Sequence, residues 1–438
     1  MITLPDELDP VDDVEPAPST APVRRRTTVR QRLHRRFTAW RGGIVRVHRW
    51  SSFVVILFVV LESVTGAAIV FGGEIDRLWN RDAFSSSTGG DVGATTALGA
   101  ARAARPDDLV SFLRVPSSDA GGVYWVYTTG ATGDDHVVLV DPGSGEVTDD
   151  DHHLPSLVLL AERLHFNLNS TSILGMEPLT VMGWLGVVWL VSLLTGGYVW
   201  YWPGVKRWAR ALRVRRRRGW FTFHLDLHKA VGLVVIVPMT IVVITGINFA
   251  FPEEVESVWN AVTFGSYESP DTDAALSTRV RGAESISSQD AIEAVAALDP
   301  VVSVQSVDTP GGSPVGVFTV YAQVDGSFFG ALGGERQVLF SVDQYTGGIV
   351  AIEDPADKNA ASNAYDDWSY RLHFGTFGGT VTRWLWVALG LSPLVLAYTG
   401  TRMWFLRRSK RRKRAASDSG PDPTPDSTLE PTPMPGAT

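Results

Sequence analysis

The chain has 438 residues, a formal net charge of −8 and no cysteine. The missing cysteine rules out disulfides, thiolate nucleophiles, Cys-ligated zinc or iron–sulfur clusters, and the Cys-x-x-Cys-His attachment of c-type haem. The acidic total also conceals a segregation: residues 24–49 hold ten Arg and no acid, 206–229 hold nine Lys or Arg against the single Asp226, and 407–414 hold seven more bases.

In chain order, residues 1–22 are acidic and Pro-containing, the composition of a disordered segment. A first apolar run follows the basic stretch at 50–71, and three more lie near 178–202, 230–251 and 381–406. Each supplies about the 20 apolar residues needed to cross a ~30 Å hydrocarbon core, so the chain reads as a polytopic membrane protein. The first run starts late and is long enough to span, which fits an uncleaved anchor rather than a signal peptide. Between the runs, 72–163 carries fifteen acids to six bases and 252–380 carries nineteen to five. The positive-inside bias then places both termini and the 203–229 loop in the cytoplasm and both acidic segments outside. Beside membrane spans, the basic runs suit the anionic headgroups of a lipid bilayer, and no nucleic acid is expected as a partner. Residues 415–438, rich in Pro, Ser and Asp, read as a disordered tail.

The predicted organisation is a cytoplasmic tail over 1–41, a first span over 42–72, an outer domain over 73–163 and a second span over 164–203. A basic cytoplasmic loop over 204–229, a third span over 230–252, a second outer domain over 253–370, a fourth span over 371–406 and a tail over 407–438 complete it. Within the outer segments, 123–148 and 316–352 alternate apolar and polar residues as paired strands do. Both contain a turn, Val140-Asp141-Pro-Gly-Ser-Gly in one and Val342-Asp343-Gln-Tyr-Thr-Gly in the other, with Asp141 and Asp343 expected to bond their own backbone. Residues 287–298 read as an amphipathic helix with a Ser/Asp start, and 97–106 as its weaker counterpart.

The membrane segments repeat in pairs. His48 precedes Thr65-Gly66 by 17 positions, and His228 precedes Thr245-Gly246 by the same 17. Arg163-Leu-His165-Phe opens a stretch ending in Thr195-Gly196, and Arg371-Leu-His373-Phe opens one ending in Thr399-Gly400. Neutral imidazoles from facing helices can hold a haem iron at both axial positions. On the predicted topology His48 and His228 lie at the cytoplasmic side and His165 and His373 at the outer side, separated by about 25 Å of helix. This gives two stacked b-type haems, one per leaflet. The plainer alternative is that these histidines are interfacial anchors. His224, one helical turn before His228, could replace it as the inner ligand, contact a propionate or relay a proton; His228 is preferred because it is the repeat partner of His48. Arg163, Arg371 and Arg383 outside, and Arg49 and Lys229 inside, are candidate propionate partners. Glu62, in the middle of helix 1, has Val242 as its repeat counterpart; it is either a proton-relay group or a neutral, hydrogen-bonded acid. The run Asp149-Asp-Asp151-His-His153 reads as a solvated acidic loop rather than a metal site.

Taken as a set, Val-His48-Arg-Trp with Thr65-Gly66, Leu-His165-Phe, Asp226-Leu-His228-Lys with Thr245-Gly246, and Leu-His373-Phe-Gly-Thr-Phe-Gly-Gly379 resemble the PepSY-associated transmembrane-helix family over roughly 42–406. This bacterial family includes iron-regulated inner-membrane proteins and ferric-siderophore reductases. The resemblance implies a di-haem b-type electron carrier in the cytoplasmic (inner) membrane. It also implies a mainly α fold, a four-helix transmembrane bundle from a tandem duplication, with two extracytoplasmic α+β PepSY-like domains.

The expected function is transmembrane electron transfer through two non-covalent haem b groups to an extracytoplasmic acceptor, with ferric-siderophore reduction in iron uptake implied by the resemblance. No Gly-x-Gly-x-x-Gly dinucleotide motif follows a strand, so the electrons must come from a separate reductase or from quinol. The rival expectation is a non-enzymatic PepSY membrane protein that binds or regulates an extracytoplasmic partner such as a peptidase. A transporter is disfavoured by the absence of discontinuous helices and of clustered midplane polar residues.

Overall fold

A computed structural model of the chain describes residues 29–201 except 88 and 119, 212–264, 275–326 except 281 and 300, 335–354, 356 and 360–418. The tail expected over 1–22, residues 419–438 of the tail expected over 415–438, and the first part of the basic loop lie outside the described residues, while 415–418 continue the last helix.

Among the described residues, four helices are long and apolar enough to cross a membrane: Trp40–Ile69, Pro178–Trp200, Trp220–Ala250 and Gly379–Lys413. They belong to α1 (Val29–Ile69), α5 (Pro178–Tyr201), α6 (Trp220–Ala250) and α10 (Gly379–Asp418). α1 and α6 each pack against both α5 and α10, so α1 and α6 stand diagonally across a four-helix bundle. Large apolar side chains such as Leu57, Val54, Val237 and Leu385 point outward, whereas Ser63, Thr65, Ser192, Thr245 and Thr399 are buried inside. That inversion of a water-soluble pattern is what lipid demands: apolar side chains face the hydrocarbon, and small hydroxylated residues let the helices approach.

The second and fourth spans begin later than the sequence predicts, at Pro178 and Gly379. The region expected as one span over 164–203 is two helices, α4 (Ser156–Asn167) and α5. α4 stops where Leu168 and Asn169 take positive φ of 54° and 51°, and α5 restarts with Pro178 in its first turn. Proline suits that position, because the amide it lacks would have no intrahelical acceptor there. The region expected over 371–406 divides likewise into α9 (Ala360–Phe374) and α10, broken at Gly375 with φ 71°. A Cβ at Gly375 would lie 2.4 Å from the Trp386 side chain, so the break needs glycine there on both counts. His165 and His373 therefore sit on separate short helices beside the bundle, not at the mouths of spans. The third helix begins at Trp220, earlier than the expected 230, so His224 and His228 share its first turns.

Outside the bundle lie β1 (Leu109–Arg114), β2 (Tyr124–Thr129), β3 (Asp135–Val140), β4 (Val147–Asp149), β5 (Val301–Asp308), β6 (Val317–Asp325), β7 (Glu335–Asp343) and β8 (Ile349–Glu353). They form a single antiparallel sheet in the order β4-β3-β2-β1-β5-β6-β7-β8. The two outer segments, expected as two α+β domains, thus share one continuous sheet. The halves join through β1 and β5, with Leu113 opposite Val307. Each of these strands would otherwise be an open edge, and pairing them satisfies both rows of backbone groups. Helices α3 (Ala94–Ala104) and α8 (Ser288–Ala296) pack on the sheet, and Ala97, Leu98, Ala101, Ala291 and Val295 share one core with Leu113, Val126, Val307 and Val320. α8 begins at the expected Ser/Asp start, where a capping box forms: Ser287 Oγ accepts from Asp290 N at 3.1 Å while Asp290 Oδ2 accepts from Ser287 N at 2.9 Å.

The two Asp turns behave alike. Asp141 accepts from Gly143 N at 3.0 Å and from Ser87 N at 3.0 Å; Asp343 accepts from Tyr345 N at 2.8 Å and Thr278 N at 2.7 Å. Burial pushes both carboxyls up, but the donated hydrogen bonds outweigh it and hold them below the usual carboxylate range. Each Asp thus ties its hairpin to the segment that enters its half of the sheet.

Short helices connect sheet and bundle: α2 (Gly72–Trp79) follows α1, and α7 (Pro252–Thr263) follows α6 in the equivalent place. α1 and α6 both lead into the sheet, and α5 and α10 both return from it. The whole sheet therefore occupies one end of the bundle, and the Arg-rich 212–218 segment and the end of α10 occupy the other.

Candidate functional site

Each of the four repeated histidines rests on a Thr-Gly pair of another helix. His165 on α4 lies against Gly66 of α1, where a Cβ would come within 2.8 Å of its ring, and His48 on α1 lies against Gly196 of α5, where the distance would be 2.9 Å. His373 on α9 meets Gly246 of α6 at 3.2 Å, and His228 on α6 meets Gly400 of α10 at 3.6 Å. These glycines make room for an imidazole.

The threonines and nearby carbonyls fix the tautomer. His48 Nδ1 lies 2.9 Å from the Ser192 carbonyl oxygen and His373 Nδ1 lies 3.1 Å from that of Val242. A carbonyl only accepts, so in both rings Nδ1 carries the proton. His228 Nδ1 lies 2.9 Å from Thr399 Oγ1, whose own hydrogen goes to the Val395 carbonyl at 2.7 Å. His165 Nδ1 lies 2.9 Å from Glu62 Oε2 and 3.2 Å from Thr65 Oγ1, which donates to the Leu61 carbonyl at 2.8 Å. All four rings are thus oriented with Nδ1–H toward the protein. Among the described residues no group bonds to any of the four Nε2 atoms. Imidazoles that hold a metal are arranged this way, one nitrogen donating to the protein and the other offering its lone pair.

The histidines group in two levels. The rings of His48 and His228 have centroids 6.3 Å apart and planes at 71°. His165 and His373 sit at the Gly66 and Gly246 seats, each 18 positions along α1 or α6 from His48 or His228 (66 − 48 = 246 − 228 = 18). Two imidazoles on opposite sides of one metal, each about 2 Å from it, place their ring centres roughly 6 Å apart. The donor set suits a porphyrin iron, which needs only two protein ligands; among the described residues no three His, Asp or Glu gather as a bare metal ion would need.

The cations also sort themselves. Arg49, next to His48, has a buried Nε with no hydrogen-bond partner, as a site awaiting an acidic group would leave it. Lys229 is 3.4 Å from Asp226, which Arg215 also holds at 2.7 Å. Arg371 Nη2 donates to the Glu335 carbonyl at 2.7 Å. Arg383 grips the Glu74 carboxylate and the Val70 carbonyl at the end of α1, and stacks 4.4 Å over the Phe71 ring. It clamps α10 to the segment that follows α1.

His224 is 1% exposed, bonds the Trp220 carbonyl through Nδ1 at 2.7 Å and is boxed by Trp220, Phe223 and Tyr398. His228, one turn on, is the ring that meets His48.

In the acidic loop, His136 bonds Asp151 at 2.9 Å, and His153 is exposed. His152, expected in solvent, is instead buried, with Nδ1 2.9 Å from Asp149 Oδ2 and Nε2 3.0 Å from Asp76 Oδ2. Phe84 and Trp125 close edge-on around it. Asp76 belongs to α2, so no local pattern in 149–153 announces this contact. Likewise, the pairing of Glu62 with His165 spans 103 positions and has no counterpart in the second repeat to reveal it.

Fold and site together define a membrane protein with four candidate spans, an extramembrane sheet at one end of the bundle, and four histidines each seated against a glycine of a neighbouring helix. The chain belongs to the PepSY-associated TM region family, whose model matches residues 45–407. No curated protein matches the chain.

Proposed function

We propose that the protein carries electrons across the cytoplasmic membrane of a bacterium through two non-covalent haem b groups. The observation that carries this reading is the common state of His48, His228, His165 and His373: each Nδ1–H is anchored to the protein, each Nε2 is left open, and the four fall in two pairs. Bound haem supplies one-electron chemistry between ferric and ferrous iron. The chain's part is to orient the four imidazoles, to exclude water with the bundle, and to set the two levels about 25 Å apart along α1.

His48 and His228 are the inner pair, with Arg49 beside them for a propionate, and His165 and His373 the outer pair beneath the sheet. His224, boxed by aromatics, supports the inner pair without ligating. N- and C-termini are cytoplasmic, and the sheet faces outward. A ferric siderophore is the proposed acceptor, reached by an electron alone, so that iron need not cross the bilayer. The donor is a separate reductase or quinol.

The deciding experiment is the absorption spectrum of the purified protein with its haem-to-chain ratio. A reducible b-type spectrum at about two haems per chain is expected. A colourless protein from haem-replete cells would overturn the reading and favour a binding or regulatory protein built on the same sheet.

A further inference from the structure

The two repeats differ at one point beside the histidines. In the second, His373 Nδ1 lies 3.1 Å from the Val242 carbonyl oxygen and 3.0 Å from Thr245 Oγ1. In the first, His165 Nδ1 lies 2.9 Å from Glu62 Oε2 and 3.2 Å from Thr65 Oγ1. A carboxylate has replaced a neutral carbonyl as the acceptor. At the other level both acceptors are neutral, Ser192 O for His48 and Thr399 Oγ1 for His228.

The position corresponding to Glu62 in the second half, Val242, carries no carboxylate. The Glu62 side chain is 9% exposed, and its second oxygen, Oε1, is buried with no partner. A buried carboxylate within a span is costly and is kept for a purpose. The partner it has in this structure is His165.

Resting on the haem reading above, we propose that Glu62 is a positioning residue that makes the two outer imidazoles unequal and lowers the midpoint potential of the outer haem below that of the inner. A carboxylate draws the Nδ1 proton more strongly than a carbonyl or hydroxyl and so raises electron density at Nε2. An axial imidazole bound to cationic iron has a more acidic Nδ1–H, which strengthens the same hydrogen bond. The more basic ligand favours the ferric state, and the potential falls. The outer site becomes the stronger reductant, at the end where an acceptor would dock beneath the sheet.

The test is an optical redox titration of the purified full-length protein at one fixed pH, with Glu62→Gln and Glu62→Val compared with the parent. Gln removes the charge and keeps the shape; Val copies the second repeat. Both variants are expected to hold two haems, with the lower potential raised and the higher unmoved; each tenfold change in the ligand's ferric-over-ferrous preference shifts a one-electron couple by about 59 mV. If a variant loses a haem, it must be the low-potential one, and Glu62→Asp must restore it. Loss of the other haem, or of both, overturns the inference. Two haems with unchanged potentials in both variants sink the inference alone, whereas a parent protein without haem sinks the haem reading and the inference together.

Discussion

The rings of His48 and His228 lie with centroids 6.3 Å apart, although they come from diagonally opposite helices. Neither is held there by its own helix. The Ser192 carbonyl on α5 secures His48 and the Thr399 hydroxyl on α10 secures His228, so all four spans take part in placing one pair.

Single substitutions should therefore separate the two levels. His48→Ala or His228→Ala is expected to remove the inner haem, and His165→Ala or His373→Ala the outer, each leaving about one haem per chain by haem-to-protein ratio. His224→Ala should keep both. A His228→Ala protein with two haems beside a His224→Ala protein with one would move the inner ligand by one helical turn.

The glycine seats grade the same test without touching a ligand. An added Cβ would stand 2.8 Å from the His165 ring at Gly66 and 2.9 Å from the His48 ring at Gly196, but 3.6 Å from the His228 ring at Gly400. Gly66→Ala and Gly196→Ala should each reduce occupancy of one haem, whereas Gly400→Ala should keep both. Equal occupancy in all three would show that the rings tolerate displacement.

His152 makes the extramembrane sheet sensitive to pH. Burial alone would lower its pKa, but the hydrogen bonds to Asp76 and Asp149 outweigh burial and raise it. A folded-state pKa above the unfolded value of about 6.5 stabilises the fold below that value, and the contribution is lost as pH rises through the folded pKa. Melting temperature should thus be higher near pH 6 than near pH 9, and His152→Gln should flatten the difference. An identical pH profile in parent and variant would dismiss the latch.

Arg383 joins α10 to the end of α1 through Glu74, the Val70 carbonyl and the face of Phe71. Arg383→Ala should destabilise the protein by about 1–3 kcal/mol, the range of a charge-assisted hydrogen bond whose partner stays partly solvated. Arg383→Lys should recover part of this, since an ammonium keeps the charge but not the two-pronged geometry. A melting temperature unaffected by either change would show the clamp to be idle.

Orientation is testable by reporter fusions. Fusions after Lys206 should report the cytoplasm, and fusions at Gly130 or Ser313 the outside, because the basic stretches flank one end of the bundle and the acidic sheet occupies the other. A cytoplasmic signal from either sheet position would reverse the electron path.

The sequence by itself determined the apolar spans and the repeated spacing of the histidines. Apolar length is a property of a continuous segment, and a repeated spacing can be counted along the chain, as from His48 to Thr65 and from His228 to Thr245. The Asp141 and Asp343 turns and the Ser287 cap were legible for the same reason: their partners lie within a few residues, or their geometry follows from local backbone chemistry. Tertiary structure alone decided which Thr-Gly seats which histidine, since His48 reaches Ser192 across 144 positions and His228 reaches Thr399 across 171. It alone also broke the second span at Leu168, which takes a left-handed conformation that leucine does not prefer and closes its N–H onto the last carbonyls of α4. The joining of two expected domains into one sheet at Leu113 and Val307, the burial of His152 on Asp76 and the pairing of Glu62 with His165 share this cause. Each is a contact between distant segments, and it exists only once hydrophobic burial and hydrogen-bond satisfaction have been settled for the whole chain together.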